Sequence, residues 1–241
     1  MSAKINPAEL AAFAAEKLIE ITVEVEPIDV QCAWPVYKVT RPSGRAVFMK
    51  LTAREPAERT LDFLKVVSGV DFLPRPIVEE VVDFNGYTVL FLEWKEAEQV
   101  NAELMSDAQA KSLLEGCVEF AKVLRGYDRP ISRLAEGGSP RGKYNELLCY
   151  SLRHPFAGIL LRPLLGIPEV ERDYRGHEIV TIHGDFQPKN YGFDGEEFAA
   201  VFDTDDLTLG LACEDLAYAF TERARKSELS AKARARLTEL F

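Results

Sequence analysis

The pair Asn85-Gly86 constrains this chain more than any other two residues. A two-residue hairpin turn that matches the twist of its strands needs positive φ at both central positions, and these two residue types tolerate it. They stand between "PIVEEVVDF" and "YTVLFLEW", runs rich in β-branched and aromatic residues, so an antiparallel pair is predicted here. Upstream, "PVYKVT" and "RAVFMKLT" flank the tight turn "RPSG", and "ITVEVEPIDV" alternates like a further strand. Between the two strand pairs, "EPAERTLDFLKVVSG" repeats its apolar residues at helical spacing. The opening "NPAELAAFAAEKLIE" places Asn6 as a cap, Pro7 in the first turn and Glu9 three residues after the cap, a helix start signal. Residues 1–95 therefore predict a small antiparallel sheet carrying a helix between its strands.

Beyond "KEAEQ" the pattern changes. Ser106 and Gln109 make a capping box for a long helix, "DAQAKSLLEGCVEFAKVLRGY". After the break "EGGSPRG" a second helical stretch follows around "YNELLCYSLRHPFAGILLRPLL", and the chain closes on a helical pattern from "CEDLAYAF" onward. Inside this region "HEIVTI" reads as a short strand, and Asp194-Gly195 between "YGF" and "EFAAVF" is another hairpin signal. The expected architecture is α+β in two lobes. A sheet-rich N-lobe covers residues 1–95, a mostly helical C-lobe covers 96–241, and the connector lies near 93–98.

Composition excludes several classes. A net charge of -10 and a pI near 5.0 argue against nucleic acid, whose phosphates need a basic face. No apolar run approaches bilayer length, and "MSAKINPAEL" lacks the layout of a signal peptide, so the expected address is the cytoplasm, with no membrane partner. The cysteines at 32, 117, 149 and 213 form no C-x-x-C pair, and the three histidines are equally scattered, which excludes zinc-type ligand spacing.

The chemistry concentrates in "HGDFQPKN". Asp185 follows a strand, where a side chain is rigidly placed yet open to a cleft. Asn190 comes five residues later, just before a hairpin, and Asp203 ends that hairpin's second strand. A hairpin returns its far end to its near end, so Asp203 can face Asn190. Two such oxygen donors suit Mg²⁺, which takes few protein oxygens alongside phosphate oxygens. An aspartate beside them can accept a hydroxyl proton. In outline this is a phosphoryl-transfer site, with the layout of the kinase motif H-R-D-x-x-x-x-N but Gly184 in place of the arginine.

With "HGD", the aspartates of "VFDTDD" and the following "EDLA", the chain resembles the aminoglycoside phosphotransferase and choline kinase-like family, in strand and helix order over nearly its whole length. The resemblance implies a protein-kinase-like fold and a small-molecule kinase using ATP or GTP with Mg²⁺. It implies Asp185 as catalytic base, Asn190 and Asp203 as Mg²⁺ ligands, and Lys50, at the end of "AVFMK", on the α- and β-phosphates. Glu58 is the expected helix partner of Lys50, with Glu55 as competitor. The resemblance also implies Glu93 to Lys95 as the connector whose backbone pairs with adenine, and Asp215, in "EDLA", as the aspartate that braces the catalytic loop. The acceptor is then a small-molecule hydroxyl. Gly184 offers no arginine for a phosphorylated loop to pair with, so the expected enzyme is active as made. An alternative remains open: from Asp29 to Val39, where the family cradles phosphates with glycine, this chain has none. That motivates reading it instead as a weak or inactive kinase-like protein that binds a nucleotide or a partner.

Overall fold

The structure, a computed structural model, describes residues 5–28, 34–100, 104–127 and 180–210, together with Asp215, Leu216 and Ala219. The helical stretch expected around 144–165, most of the final helix and the centre of the glycine-free stretch lie outside the described residues. The described residues group into two compact units. One comprises residues up to Glu98 with Gly192–Asp194 and Ala199–Asp205; the other comprises Gln99–Tyr191, Gly195–Phe198 and the residues from Asp206 onward.

The first unit is built on a five-stranded antiparallel sheet in the order β1-β2-β3-β5-β4. Its strands are β1 (Glu24–Pro27), β2 (Val36–Thr40), β3 (Ala46–Thr52), β4 (Val82–Phe84) and β5 (Tyr87–Glu93). The β4–β5 hairpin turns at Asn85 and Gly86, with φ of 49° and 85°, as the dipeptide requires. The strand expected from "PIVEEVVDF" is shorter than its sequence suggests. Pro76 makes only an isolated bridge to Leu92, because proline has no N–H to continue a ladder, and regular pairing resumes at Val82.

Side-chain alternation decides which residues meet. In β3, Val47, Met49 and Leu51 point to one face and join Val89 and Phe91 of β5. The helix α1 (Pro7–Lys17) covers that face with Leu10 and Ala14, making the core of this unit. Its cap is the one expected: the Asn6 side chain accepts from the Ala8 N–H at 3.0 Å. Lys50 falls between Met49 and Leu51, so the same period of two sends it to the opposite face. There α2 (Arg54–Val66) packs against β5, burying Ala57, Thr60, Leu61 and Leu64 at helical spacing. Lys50 is buried at 5% exposure, which obliges it to find counter-charge.

The second unit contains α3 (Asp107–Arg125), β6 (Val180–Ile182) and β9 (Thr208–Gly210). The capping box of α3 forms both ways. Ser106 Oγ accepts from the Gln109 N–H, and Gln109 Oε1 accepts from the Ser106 N–H, each at 3.0 Å. Leu113, Phe120 and Leu124 bury one stripe of the helix, and α3 packs against β6. The strands β6 and β9 pair antiparallel, Thr181 opposite Leu209. The hairpin signal at Asp194-Gly195 is realised as β7 (Tyr191–Asp194) and β8 (Glu197–Val201). No helix among the described residues is long and apolar enough to cross a membrane.

Candidate active site

The loop after β6 is held from beneath by one carboxylate. Asp215 accepts from the His183 N–H at 2.6 Å and from the Gly184 N–H at 3.0 Å. Two adjacent backbone donors on one buried anion fix where the loop leaves the strand. His183 is fully buried, set edge-on to Phe186 and Phe120 with centroids 5.4 and 6.0 Å away, and its Nδ1 accepts from the Asp185 N–H at 3.3 Å. It serves the loop's shape. Burial, then the nearby Asp215 charge, pushes the Cys117 thiol well above the usual thiol range, so it stays protonated.

Bracing by Asp215 has a measurable consequence. Asp215→Ala leaves one buried and one part-buried N–H group without this acceptor and costs on the order of 3 kcal/mol. Chemical denaturation should show the midpoint moving down with an unchanged slope, whereas a midpoint within error of wild type would deny the brace.

Gly184 explains the departure from H-R-D. Its φ is +84°, and a Cβ built there would lie 2.4 Å from the Asp206 carbonyl oxygen and 3.0 Å from Thr208 Cγ2. The backbone of the Asp206–Thr208 segment occupies the space in which any side chain would begin. An arginine has no room at this position.

Asp185 is fixed but not enclosed. Gln187 Nε2 donates to its Oδ1 at 2.6 Å, and Asn190 Nδ2 donates to its Oδ2 at 2.9 Å and to its backbone carbonyl at 2.7 Å. Lys189 Nζ stands 3.4 Å from Oδ2, and the carboxylate side chain keeps 22% of its surface exposed. A 3-10 turn, Pro188–Asn190, places Asn190 for this clasp. Because Nδ2 of Asn190 is committed to Asp185, Oδ1 is the atom it has left for accepting or ligating.

In the first unit, Lys50 Nζ bonds Asp203 Oδ1 at 2.5 Å and Asp205 Oδ2 at 2.6 Å. Burial works against the ammonium's charge, but the Asp205 and Asp203 carboxylates outweigh it and hold its pKa above the ordinary lysine value. Asp203 has a φ of 56°, a left-handed backbone that costs a non-glycine residue roughly 1–2 kcal/mol. Strain of this kind gathers at functional sites. The expected Lys50–Glu58 pair does not form. Glu58 is half-exposed and pairs with Arg54 at 3.3 Å, one turn earlier on the same helix face. Glu55 stands 3.9 Å from Arg59. Asp205, one of the aspartates of "VFDTDD", supplies the second carboxylate on Lys50. Its role had no local signal, since the two residues are 155 apart in sequence.

At the connector, the Glu93 N–H is already bonded to the Arg75 carbonyl at 2.7 Å. The Glu93 carboxylate pairs with Lys95 Nζ at 3.1 Å, and Lys95 also donates to the Asp71 carbonyl. Glu98 is anchored by a bridge to Phe193. Residues 94–97 lie between these anchors outside any strand, so the stretch not engaged in sheet pairing starts one residue after Glu93.

Among the described residues, no group of three or more His, Cys, Asp or Glu side chains gathers as a dedicated metal cage. Each unit offers a hard oxygen donor of its own: in the second, the Asn190 amide oxygen, and in the first, an Asp203 carboxylate that already binds a cationic group, the Lys50 ammonium. Few protein oxygens, completed by phosphate oxygens, is the Mg²⁺ pattern. The residues fit.

A model of the phosphotransferase enzyme family matches residues 24–240. No curated protein matches the sequence. Among solved structures, the fold is similar to an amicoumacin kinase in complex with AMP-PNP, Ca2+ and Ami, with a TM-score of 0.69 and 14% identity over 98% of this chain and 77% of the other. It is similar also to the GDP complex of an aminoglycoside 2'-phosphotransferase, at a TM-score of 0.68 and 14% identity over 91% and 78% of the two chains. A spectinomycin phosphotransferase in complex with ADP gives a TM-score of 0.59 and 16% identity, over 90% and 74%. At these identities the likeness establishes the fold, which is α+β and protein-kinase-like.

Proposed function

The chain belongs to the phosphotransferase enzyme family, and from that premise we propose that it is a kinase moving the γ-phosphoryl group of ATP or GTP to a hydroxyl on a small molecule. The observation that carries this reading is the state of Asp185. Its two oxygens are aimed by Gln187 and Asn190 while part of the carboxylate remains open, as a base awaiting a hydroxyl must be.

In this reading Asp185 orients the acceptor hydroxyl and takes its proton. The hydroxyl oxygen bonds to the γ-phosphorus, the bond to the β–γ bridging oxygen breaks, and the nucleoside diphosphate leaves with that electron pair. Lys50 contacts the α- and β-phosphates. The connector from Glu93 to Lys95 takes the base through its backbone. Asn190, through Oδ1, and Asp203 would hold Mg²⁺, which when bound neutralises charge on the phosphate oxygens. Two things support a small acceptor. The similar solved structures include complexes with Ami and with spectinomycin, and Gly184 has no room for the arginine that a phosphorylated switch loop would need.

Thermal unfolding with nucleotide tests the reading. At a hundred times its Kd a nucleotide stabilises by about 2.7 kcal/mol, which for a chain of this size raises the midpoint by roughly 5–10 °C. ATP or GTP with Mg²⁺ should give that rise, and Asp203→Ala should lose it. No shift with either nucleotide, with or without metal, would remove the nucleotide site from the account.

A further inference from the structure

Lys50 in the first unit is held by two carboxylates that are themselves held very differently. Asp203 has Lys50 as its hydrogen-bonded partner and keeps 30% of its side-chain surface exposed. Asp205 is built into the unit. Its Oδ1 accepts from Thr60 Oγ1 at 2.9 Å, its Oδ2 accepts from Lys50, and its backbone carbonyl accepts from Arg59 Nη2 at 2.9 Å. Thr60 is 3% exposed and the Arg59 side chain 9%, and they are neighbours on α2. The helix therefore grips the segment after β8 at two points.

A lysine that must present its ammonium to phosphates needs a fixed counter-charge that does not leave when ligands arrive. Glu58 does not supply it, being paired with Arg54. Asp203 cannot be that fixed group if it serves a cation in the proposed reaction. Asp205 can, because both its oxygens and its carbonyl are already committed inside the unit.

We propose that Asp205, locked by Thr60 and Arg59 of α2, is the residue that positions Lys50, taking the place expected of a glutamate on that helix. The role rests on the phosphotransferase reading, but the lock itself is measurable without nucleotide. It predicts that α2 controls Lys50 through a hydroxyl and a backbone contact on another segment rather than through a carboxylate of its own.

The test is amine acetylation of the full chain, read by mass spectrometry at Lys50 against Lys38 and Lys65, with and without Mg²⁺ and ATP or GTP. In wild type, Lys50 labels slowly. Thr60→Val keeps the side chain's shape and removes its hydroxyl; it should speed Lys50 labelling about tenfold, the change that one hydrogen bond to a charged group makes. Thr60→Ser should restore the slow rate, and Lys38 and Lys65 should not respond. The nucleotide KM, or Kd by calorimetry, should rise by about the same factor in Thr60→Val and return in Thr60→Ser. Should Thr60→Val fold poorly, Asp205→Asn answers the same question. Wild-type labelling at Lys50 in the folded variants overturns the lock, and faster labelling with an unchanged nucleotide constant overturns the positioning role. Absence of nucleotide binding in wild type would overturn both that role and the phosphotransferase reading, leaving labelling to decide the lock alone.

Discussion

Asp185→Asn should lower phosphate transfer by about a hundred- to ten-thousand-fold, the contribution of a positioned general base, while the protein stays folded. The amide nearly matches the carboxylate in shape and keeps an oxygen to accept from Gln187, which now donates to Oδ1. The bond from Asn190 to Oδ2 is the one at risk, worth roughly 1–2 kcal/mol. The ion pair with half-exposed Lys189 adds little. Steady-state turnover beside a denaturation curve checks both halves. A variant that is folded and retains transfer within a few-fold of wild type would mean that Asp185 is not the base.

Gly184→Ala should do the opposite, damaging the fold before the chemistry. The left-handed backbone costs an alanine roughly 1–2 kcal/mol. The added Cβ must also displace the Asp206 carbonyl oxygen, from which it would stand at 2.4 Å; overpacking of this sort costs about 1–3 kcal/mol. The sum is about 2–5 kcal/mol, a large part of a domain's stability. Thermal or urea unfolding would show it directly. A loss below about 0.5 kcal/mol, the size of an ordinary surface substitution, would contradict the packing described for this loop. The two neighbouring residues thus separate a chemical role from a structural one.

Much of the fold was legible because its signals are local. Asn85-Gly86 and Asp194-Gly195 name their turns through two adjacent residues, and the Ser106–Gln109 box spans four positions. Both hairpins and the box form. The span from His183 to Asn190 was legible for the same reason, and its internal bonds from Gln187 and Asn190 to Asp185 are all short-range.

What the sequence hid is long-range or competitive. Helical spacing places Glu58 on a face but does not say which partner it takes, and Arg54 one turn away reaches it first. Asp205 meets Lys50 and Thr60 only after the chain has folded back over about 150 residues. The need for glycine at 184 comes from the Asp206 carbonyl, which no local pattern announces. β9 is three residues long and is defined by its pairing with β6 rather than by any periodicity of its own.

As the proposed kinase, the protein transfers a γ-phosphoryl group to a small hydroxyl. That transfer is tested most directly by incubating the protein with Mg²⁺ and γ-labelled ATP or GTP across a panel of antibiotics, amino alcohols and sugar derivatives, and following the label. At least one acceptor should gain the label at its hydroxyl, the nucleoside diphosphate should appear in equal amount, and Asp185→Asn should abolish both. Label moving to protein or peptide but to no small molecule, or no consumption of either nucleotide under any acceptor, would contradict that activity.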